Sequence, residues 1–246
     1  SDRGPTISSF ATAAMRLEPI ARRAALRALL AVAPAALLTQ QNQPASAFAN
    51  ALPPDELMLK YPSPKTPGPK PGDIGPRDGG ALKPCIDGKP HCFSSSAEQF
   101  DDEFNAGELP EDWLVDPFRF DKPPAEAMAD LKDAVAAYPP GQRGIDGGGF
   151  EIITSTPEYL YVQFQSLRKG YIDDMEFSLA AKTGVCNVRT SSRLGYLDLG
   201  VNAKRYAWFA ERLGKTAGWK TVPLKAAKHG EYFSQNNLRD SDLAAK

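Results

Sequence analysis

The side chains best suited to chemistry are acids and arginines concentrated between residues 170 and 212. Asp173 or Asp174 together with Glu176 would supply the paired carboxyl groups that general acid–base catalysis needs. Arginines in the same stretch have planar, forked donors that suit the binding of an anionic group. The candidate functional cluster comprises Asp173, Asp174, Glu176, Arg189, Arg193, Asp198, Asn202 and Arg205.

No nucleophile motif accompanies these acids. The chain has no G-x-S-x-G sequence, no Cys–His pairing and no phosphate-binding loop, and its only histidines are His91 and His229. Interleaved carboxylates and arginines more commonly form an ion-pair lattice than a catalytic site. We therefore favour a non-catalytic interpretation. Two alternatives stay open: a binder of a small anion or lipid headgroup that uses Arg193 and Arg205, and an enzyme that uses the acids.

Cys85 and Cys92 are separated by six residues. In an oxidising compartment this spacing is compatible with a local disulfide, and free thiols are the alternative. Zinc is disfavoured because only His91 lies nearby and no second Cys/His pair exists. His229, alone near the C-terminus, is expected at the surface. We expect a disulfide, no metal and no cofactor.

Four consecutive segments rich in β-branched and aromatic residues predict strands that must position the cluster. A two-residue turn at Lys182-Thr183 would place Phe177 opposite Val188 and Glu176 opposite Arg189. The predicted strands are Phe150–Ser155, Tyr159–Gln165, Ile172–Ala180 and Val185–Ser192.

The turns between the other strands set the remaining register. They place Leu160 opposite Phe177, Val162 opposite Met175, Phe150 opposite Phe164 and Ile152 opposite Val162, so that most large apolar residues share one face. The opposite, solvent-facing side would carry Tyr161, Glu176, Arg189 and Asp174. Asp173 would instead point towards the core and need a partner, which Arg193, Arg205 or a helix N-terminus would supply.

Helical spacing of apolar residues predicts helices over 125–138 and 201–215, the second capped by Asp198 or Asn202. Trp219 and Val222 indicate a short final strand. The predicted fold class is α+β: an antiparallel four- to five-stranded meander sheet with two helices packed on one face, preceded by a Pro-rich extended arm.

Residues 1–49 have the composition of a targeting segment, with five Arg, no Lys and two acids. Arg22-Arg23 precedes an Ala/Leu-rich run, and Ala47-Phe48-Ala49 predicts cleavage before Asn50. A transit segment followed by a twin-arginine signal resembles the two-stage address of thylakoid-lumen proteins. Residues 50–246 carry 24 Lys and Arg against 28 Asp and Glu, which disfavours nucleic-acid binding.

Ten prolines between residues 50 and 92 predict an extended arm that contains neither a helix nor a central strand. We expect this arm to lie outside the core and to dock along a partner. A globular domain is predicted over 93–235, and a polar tail over 236–246.

Three blocks of sequence resemble the family known as domain of unknown function 1499, over about residues 83–213. They are Cys85 and Cys92 with Ser94-Ser95, the acidic strand segment 173–177, and segments 189–196 and 198–202 with Arg205. The resemblance implies an α+β domain, often exported or plastid-located, and brings no established catalytic residues.

Together these features predict a non-catalytic protein of the chloroplast thylakoid lumen. We expect an accessory or structural subunit, peripheral to the membrane, bound to the lumenal side of a photosynthetic membrane complex such as a photosystem or its antenna.

Overall fold

The computed structural model describes residues 47–86, 88–97 and 111–244. The predicted targeting segment therefore lies almost entirely outside the described residues. The helices are Glu56–Lys60 (α1), Pro124–Ala136 (α2), Val201–Gly214 (α3) and Gly230–Gln235 (α4). The strands are Cys92–Ser94 (β1), Phe118–Phe120 (β2), Phe150–Ser155 (β3), Tyr159–Gln165 (β4), Ile172–Ala180 (β5), Val185–Ser192 (β6) and Trp219–Lys220 (β7).

All seven strands of the described residues form one antiparallel sheet in the order β3-β4-β5-β6-β2-β7, with β1 paired to the far end of β6. The class and the central meander are as predicted. The sheet exceeds the predicted four to five strands because β1 and β2 are too short to show a period of two, whereas β7 corresponds to the predicted final strand at Trp219.

The predicted register of the meander is confirmed. Leu160 lies opposite Phe177, Glu176 opposite Arg189, and Phe150 opposite Phe164. One irregularity shifts the pairing of β3 between Ile152 and Thr154. The connection from β5 to β6 is a four-residue loop rather than a two-residue turn, because the last pair is Ala180 with Val185.

Helices α2 and α3 pack on one face of the sheet, as predicted. Pro124 occupies the first turn of α2, where a missing N–H costs no intrahelical bond. Phe209 of α3 contacts both Phe164 and Phe177 of the sheet at ring-centroid distances of 6.2 and 5.3 Å. These contacts place the main core between the helices and the large apolar residues of β4, β5 and β6.

The opposite face of the sheet is not exposed to solvent, contrary to the sequence-based expectation. The Pro-rich arm lies across it: Ile74 and Leu82 pack against Tyr159 and Tyr161. The backbone N–H of Gly75 donates to the Glu176 carboxylate at 2.8 Å. The arm is therefore a layer of the domain and not a separate extension, and it contains the short helix α1, contrary to the prediction of an arm without a helix.

The segment predicted as a polar tail also contributes to the fold. Leu243 is buried within the main core, and Asn236 is buried as well. The amide of Asn236 donates to the carbonyl of Pro90 at 2.9 Å, so the C-terminal segment contacts the end of the arm.

Candidate functional site

The sheet divides the predicted cluster into two groups. Asp173, Asp198, Asn202 and Arg205 lie on the face covered by the helices. The other four residues, Asp174, Glu176, Arg189 and Arg193, lie under the arm. Successive residues of a strand point to opposite faces, so adjacent acids of β5 must separate. Of the two pairings that the enzyme alternative considered, only Asp174 with Glu176 therefore has both carboxylates on one face.

Arg205 is the centre of the group on the helix face and is fully buried. Its guanidinium donates to Asp146 through Nη2 at 2.5 Å and Nε at 2.9 Å, and to Asp173 through Nη2 at 2.8 Å. Nη1 donates to Asn202 at 2.7 Å. The guanidinium carbon also lies 4.7 Å from the centroid of the Phe164 ring. The expectation that Asp173 faces the core and pairs with an arginine is confirmed.

Asp146 was missed by the sequence analysis, although it lies in the glycine-rich segment 141–149. Its backbone has a φ of 56°, a conformation in which Asp is one of the few acceptable residues other than Gly. Its carboxylate also accepts the hydroxyl of Tyr138 at 2.5 Å. The sequence offered one indication of its role, an acidic residue in a glycine-rich segment. Its partner Arg205, however, lies 59 positions away on α3.

The carboxylates of Asp146 and Asp173 share the guanidinium of Arg205. Burial raises the pKa of Asp173 to about 6, although the charge of Arg205 opposes the rise. For Arg205, burial acts to lower the pKa, but Asp146 and Asp173 outweigh it and hold the pKa well above its ordinary value. The arginine therefore stays charged while Asp173 titrates.

The N-terminal cap position of α3 is held by Gly200 and by neither of the two predicted residues, but the first backbone N–H groups of the helix are bonded by Asp198. The oxygens of Asp198 accept the backbone N–H groups of Gly200 and Asn202 at 3.0 and 2.9 Å. They also accept the hydroxyl of Tyr232 at 2.8 Å. Asn202 instead donates its amide to the carbonyl of His91 at 2.9 Å. Both residues hold α3, and with it Arg205, in place.

On the arm face, Asp174 and Arg193 form an ion pair with two parallel bonds, Nε–Oδ2 at 2.8 Å and Nη2–Oδ1 at 2.7 Å. The hydroxyl of Tyr161 donates to the same carboxylate at 2.5 Å. Burial, followed by this hydrogen bond, raises the pKa of Tyr161 to about 12. Arg193 thus has a fixed acidic partner and lies on the other face from Arg205, so the two do not form the predicted joint anion site.

Glu176 is fully buried and accepts three donors. Gly75 and the Tyr159 hydroxyl donate to Oε1 at 2.8 and 2.7 Å, while Arg189 approaches Oε2 at 3.4 Å. The predicted pair of Glu176 and Arg189 exists in register, but its hydrogen bond is long. Neither carboxylate of this face is available to a substrate as a general acid or base.

The thiol and imidazole groups are also engaged or enclosed. Cys85 and Cys92 form the predicted disulfide, with Cα atoms 5.8 Å apart. Cys186 is buried, and burial raises the pKa of its thiol. His229 was expected at the surface, but it is buried and its Nδ1 lies 2.9 Å from the carbonyl of Asp112. Burial lowers its pKa.

A cleft of about 820 Å³ opens where the 141–147 loop, the turn before β5 and the 194–199 loop meet. Asp146, Asp173 and Asp198 lie among the residues that line it. Its volume falls within the range of ligand and partner sites. Its apolar side chains are Leu52, Ile145, Leu167, Tyr171, Leu194, Leu197, Leu199 and Val201.

No group of three or more metal-ligating side chains suited to a metal ion occurs among the described residues. Within the same residues, no helix combines the length and apolar character that a membrane crossing requires. The arrangement can hold charged groups rigidly and can present an apolar cleft.

These observations define an α+β protein in which one antiparallel sheet separates two buried groups of ion pairs. A model of the family described as protein of unknown function (DUF1499) matches residues 81–213. The match covers more than half of the chain, and the chain therefore belongs to this family. No curated protein and no solved structure matches it.

Proposed function

We propose that this is a non-catalytic accessory protein of the chloroplast thylakoid lumen, attached to the lumenal side of a photosynthetic membrane complex. The composition of residues 1–49 supports the compartment, and so does a disulfide, since disulfides persist in oxidising compartments. The engagement of the acids and arginines in internal ion pairs favours a scaffold over the alternative of a lumenal enzyme.

The observation that carries the proposal is the exposed apolar rim of the 820 Å³ cleft. Leu199 is 71% exposed, and Leu52, Tyr171 and Leu197 are each exposed by more than a third. These side chains line one cleft rather than being scattered. Contiguous exposed apolar surface typically marks a site of protein or membrane association.

The rim also has a rigid base, which suits a docking surface. The backbone N–H of Leu52 donates to the carbonyl of Gly147 at 2.8 Å, so the start of the arm is fixed to the 141–147 loop. Asp198 fixes the end of the 194–199 loop to α3. Association with a partner would therefore require little ordering of this surface, which lowers its entropic cost.

Native gel electrophoresis of solubilised thylakoid membranes from the source organism tests the proposal. The protein should co-migrate with one photosynthetic complex. Replacing Leu197 and Leu199 with Ser should reduce the bound fraction about tenfold or more, because each leucine buried at an interface contributes about 1.5–3 kcal/mol. Leu59→Ser is the matched control, since Leu59 is 68% exposed and lies outside the cleft.

Migration of the wild-type protein only as a free species would overturn the proposal. Equal loss of binding in the Leu59 control would show that the cleft rim is not the attachment surface.

A further inference from the structure

A second pocket, of about 300 Å³, lies between the arm and the sheet beside the disulfide. We propose that it binds a small oxyanion, such as phosphate, sulfate or a compact carboxylate. The arm and the loop that follows it line one side, including Lys70, Lys83 and Lys89. Strand β6 and the residue after it line the other side through Arg189, Ser191 and Arg193.

The charge of the pocket is the first argument. Five cationic side chains line it, against two acids, Asp73 and Asp174. Asp73 is already paired with Lys83 at 2.6 Å, and Asp174 is held by Arg193. The lining is thus richer in cations than in acids, with Arg189 also paired to Glu176 beneath it, in a protein whose overall net charge is −1. A concave site of one sign concentrates ligands of the other sign.

Arg189 is the second argument. Arg189 is only 7% exposed, and its Nε is buried without a hydrogen-bond partner. Nη1 makes a long bond of 3.4 Å to Glu176, whose other oxygen already accepts two shorter ones. A buried charged donor without an acceptor is costly, so the pocket is built for an acceptor that a ligand would bring.

The size and the donor types select the class of ligand. A guanidinium offers a fork of N–H groups that matches the oxygens of a phosphate, sulfate or carboxylate. Ser191 adds a hydroxyl to the lining. A volume of about 300 Å³ is at the lower end of ligand pockets, which favours an isolated oxyanion or a single headgroup over a larger molecule.

The arm supplies one wall of the pocket, so a bound anion would join the arm to the sheet. Binding to the folded protein alone stabilises it, and the midpoint of thermal unfolding should then rise with ligand concentration. This proposal involves neither Leu197 nor Leu199, and it stands or fails independently of the attachment surface proposed above.

Isothermal titration calorimetry of the full chain with inorganic phosphate and with sulfate tests the site. Titrations are run against chloride at matched ionic strength, since exposed charges are screened by salt. We expect saturable binding with one site. Arg189→Gln should weaken it by about tenfold or more, and Lys70→Ala by about threefold, because Lys70 is exposed and contributes a single charge.

Lys60→Ala is the matched control, since Lys60 lies on α1 and does not line the pocket. Thermal unfolding without ligand shows whether each variant is folded, and Lys70→Ala keeps the test valid should Arg189→Gln fail to fold. No saturable binding of either anion, or equal binding by the wild type and the Lys70 and Arg189 variants, would overturn the proposal.

Vesicles separate the two sources of such an anion. Co-sedimentation with phosphatidylglycerol vesicles but not phosphatidylcholine vesicles, competed by inorganic phosphate, identifies a lipid headgroup. Binding of inorganic phosphate without vesicle binding identifies a free anion. Vesicle binding that persists unchanged in both the Arg189 and Lys70 variants counts against this pocket.

Discussion

The two faces of the sheet bury arginines in different ways. On the helix face, every nitrogen of Arg205 has a partner within 2.9 Å among Asp146, Asp173 and Asn202. On the arm face, Arg189 is nearly as buried but has only one long bond, and its Nε is unpaired. The comparison indicates that the helix-face group serves stability, whereas the arm face retains unused binding capacity.

The segments that cover the two faces also differ in how extensively they contact the sheet. Aromatic side chains of α3 and of the segment just after α2 close the helix face, with Tyr138 stacked on Phe209 at 5.5 Å. The arm closes the other face through a few contacts, such as Gly75 with Glu176 and Ile74 with the two tyrosines. A cover of few contacts leaves room for a pocket, while a packed core does not.

Replacing each buried arginine with Ala should give the largest difference between the faces. Arg205→Ala should cost about 3–5 kcal/mol of unfolding free energy, because it leaves Asp146 and Asp173 buried without a cation. Arg189→Ala should cost less, about 1–3 kcal/mol, because the Glu176 carboxylate that it leaves buried without a cation keeps two other donors, Gly75 and the Tyr159 hydroxyl. Urea unfolding measures both values.

Arg193→Ala, which leaves Asp174 unpaired but close to the arm, should fall between these two. Similar costs for Arg205 and Arg189 would show that the arm-face arginine is as fully compensated as the other one and would weaken the case for its pocket.

The attachment of the arm gives the second difference. Ile74→Asp should cost about 1–3 kcal/mol, because it places a charge against Tyr159 and Tyr161. Ile86→Asp is the matched control on the same arm; Ile86 is 53% exposed, and its replacement should cost less than about 0.5 kcal/mol. Thermal unfolding compares them. No cost at Ile74 would restore the sequence-based expectation of a separable arm.

The register of the meander was predictable because alternation with a period of two leaves few choices. A slip by one residue would move Leu160 and Val162 to the face opposite Phe177, and the short turn between the strands selects one register among those that keep them together. That pairing also sent Asp173 to the core side, where a buried acid required a cation. The position of this acid and its partner Arg205 therefore followed from local pattern and elementary electrostatics.

The covering of the other face was not predictable from the same signals. A proline-rich segment has no period that shows which of its residues are buried, so the contacts of Ile74 and Gly75 with the sheet were not apparent. Asp146 and Tyr232 escaped notice because their partners are set by the tertiary fold. The solvent-exposed lattice expected around Glu176 is thus a buried one.

The pH dependence of stability tests the helix face separately from the arm face. Burial raises the folded pKa of Asp173 from an ordinary value of 3.8 to about 6, against the charge of Arg205 and with the help of Asp146. Between these values the folded state binds the proton and the unfolded state does not. The contribution of Asp173 is therefore greatest below about pH 4 and is lost as the pH rises through 6. Urea unfolding at several pH values from 4 to 7.5 should show a component of up to about 1 kcal/mol per pH unit with this sign, and Asp173→Asn should remove it.

Glu211→Gln is the control of opposite sign, since the hydrogen bond and charge of Lys215 lower the pKa of Glu211 and its contribution is lost on acidification. An unchanged pH profile in Asp173→Asn would mean that the shared guanidinium compensates both carboxylates, and that the helix face carries no titrating group in this range.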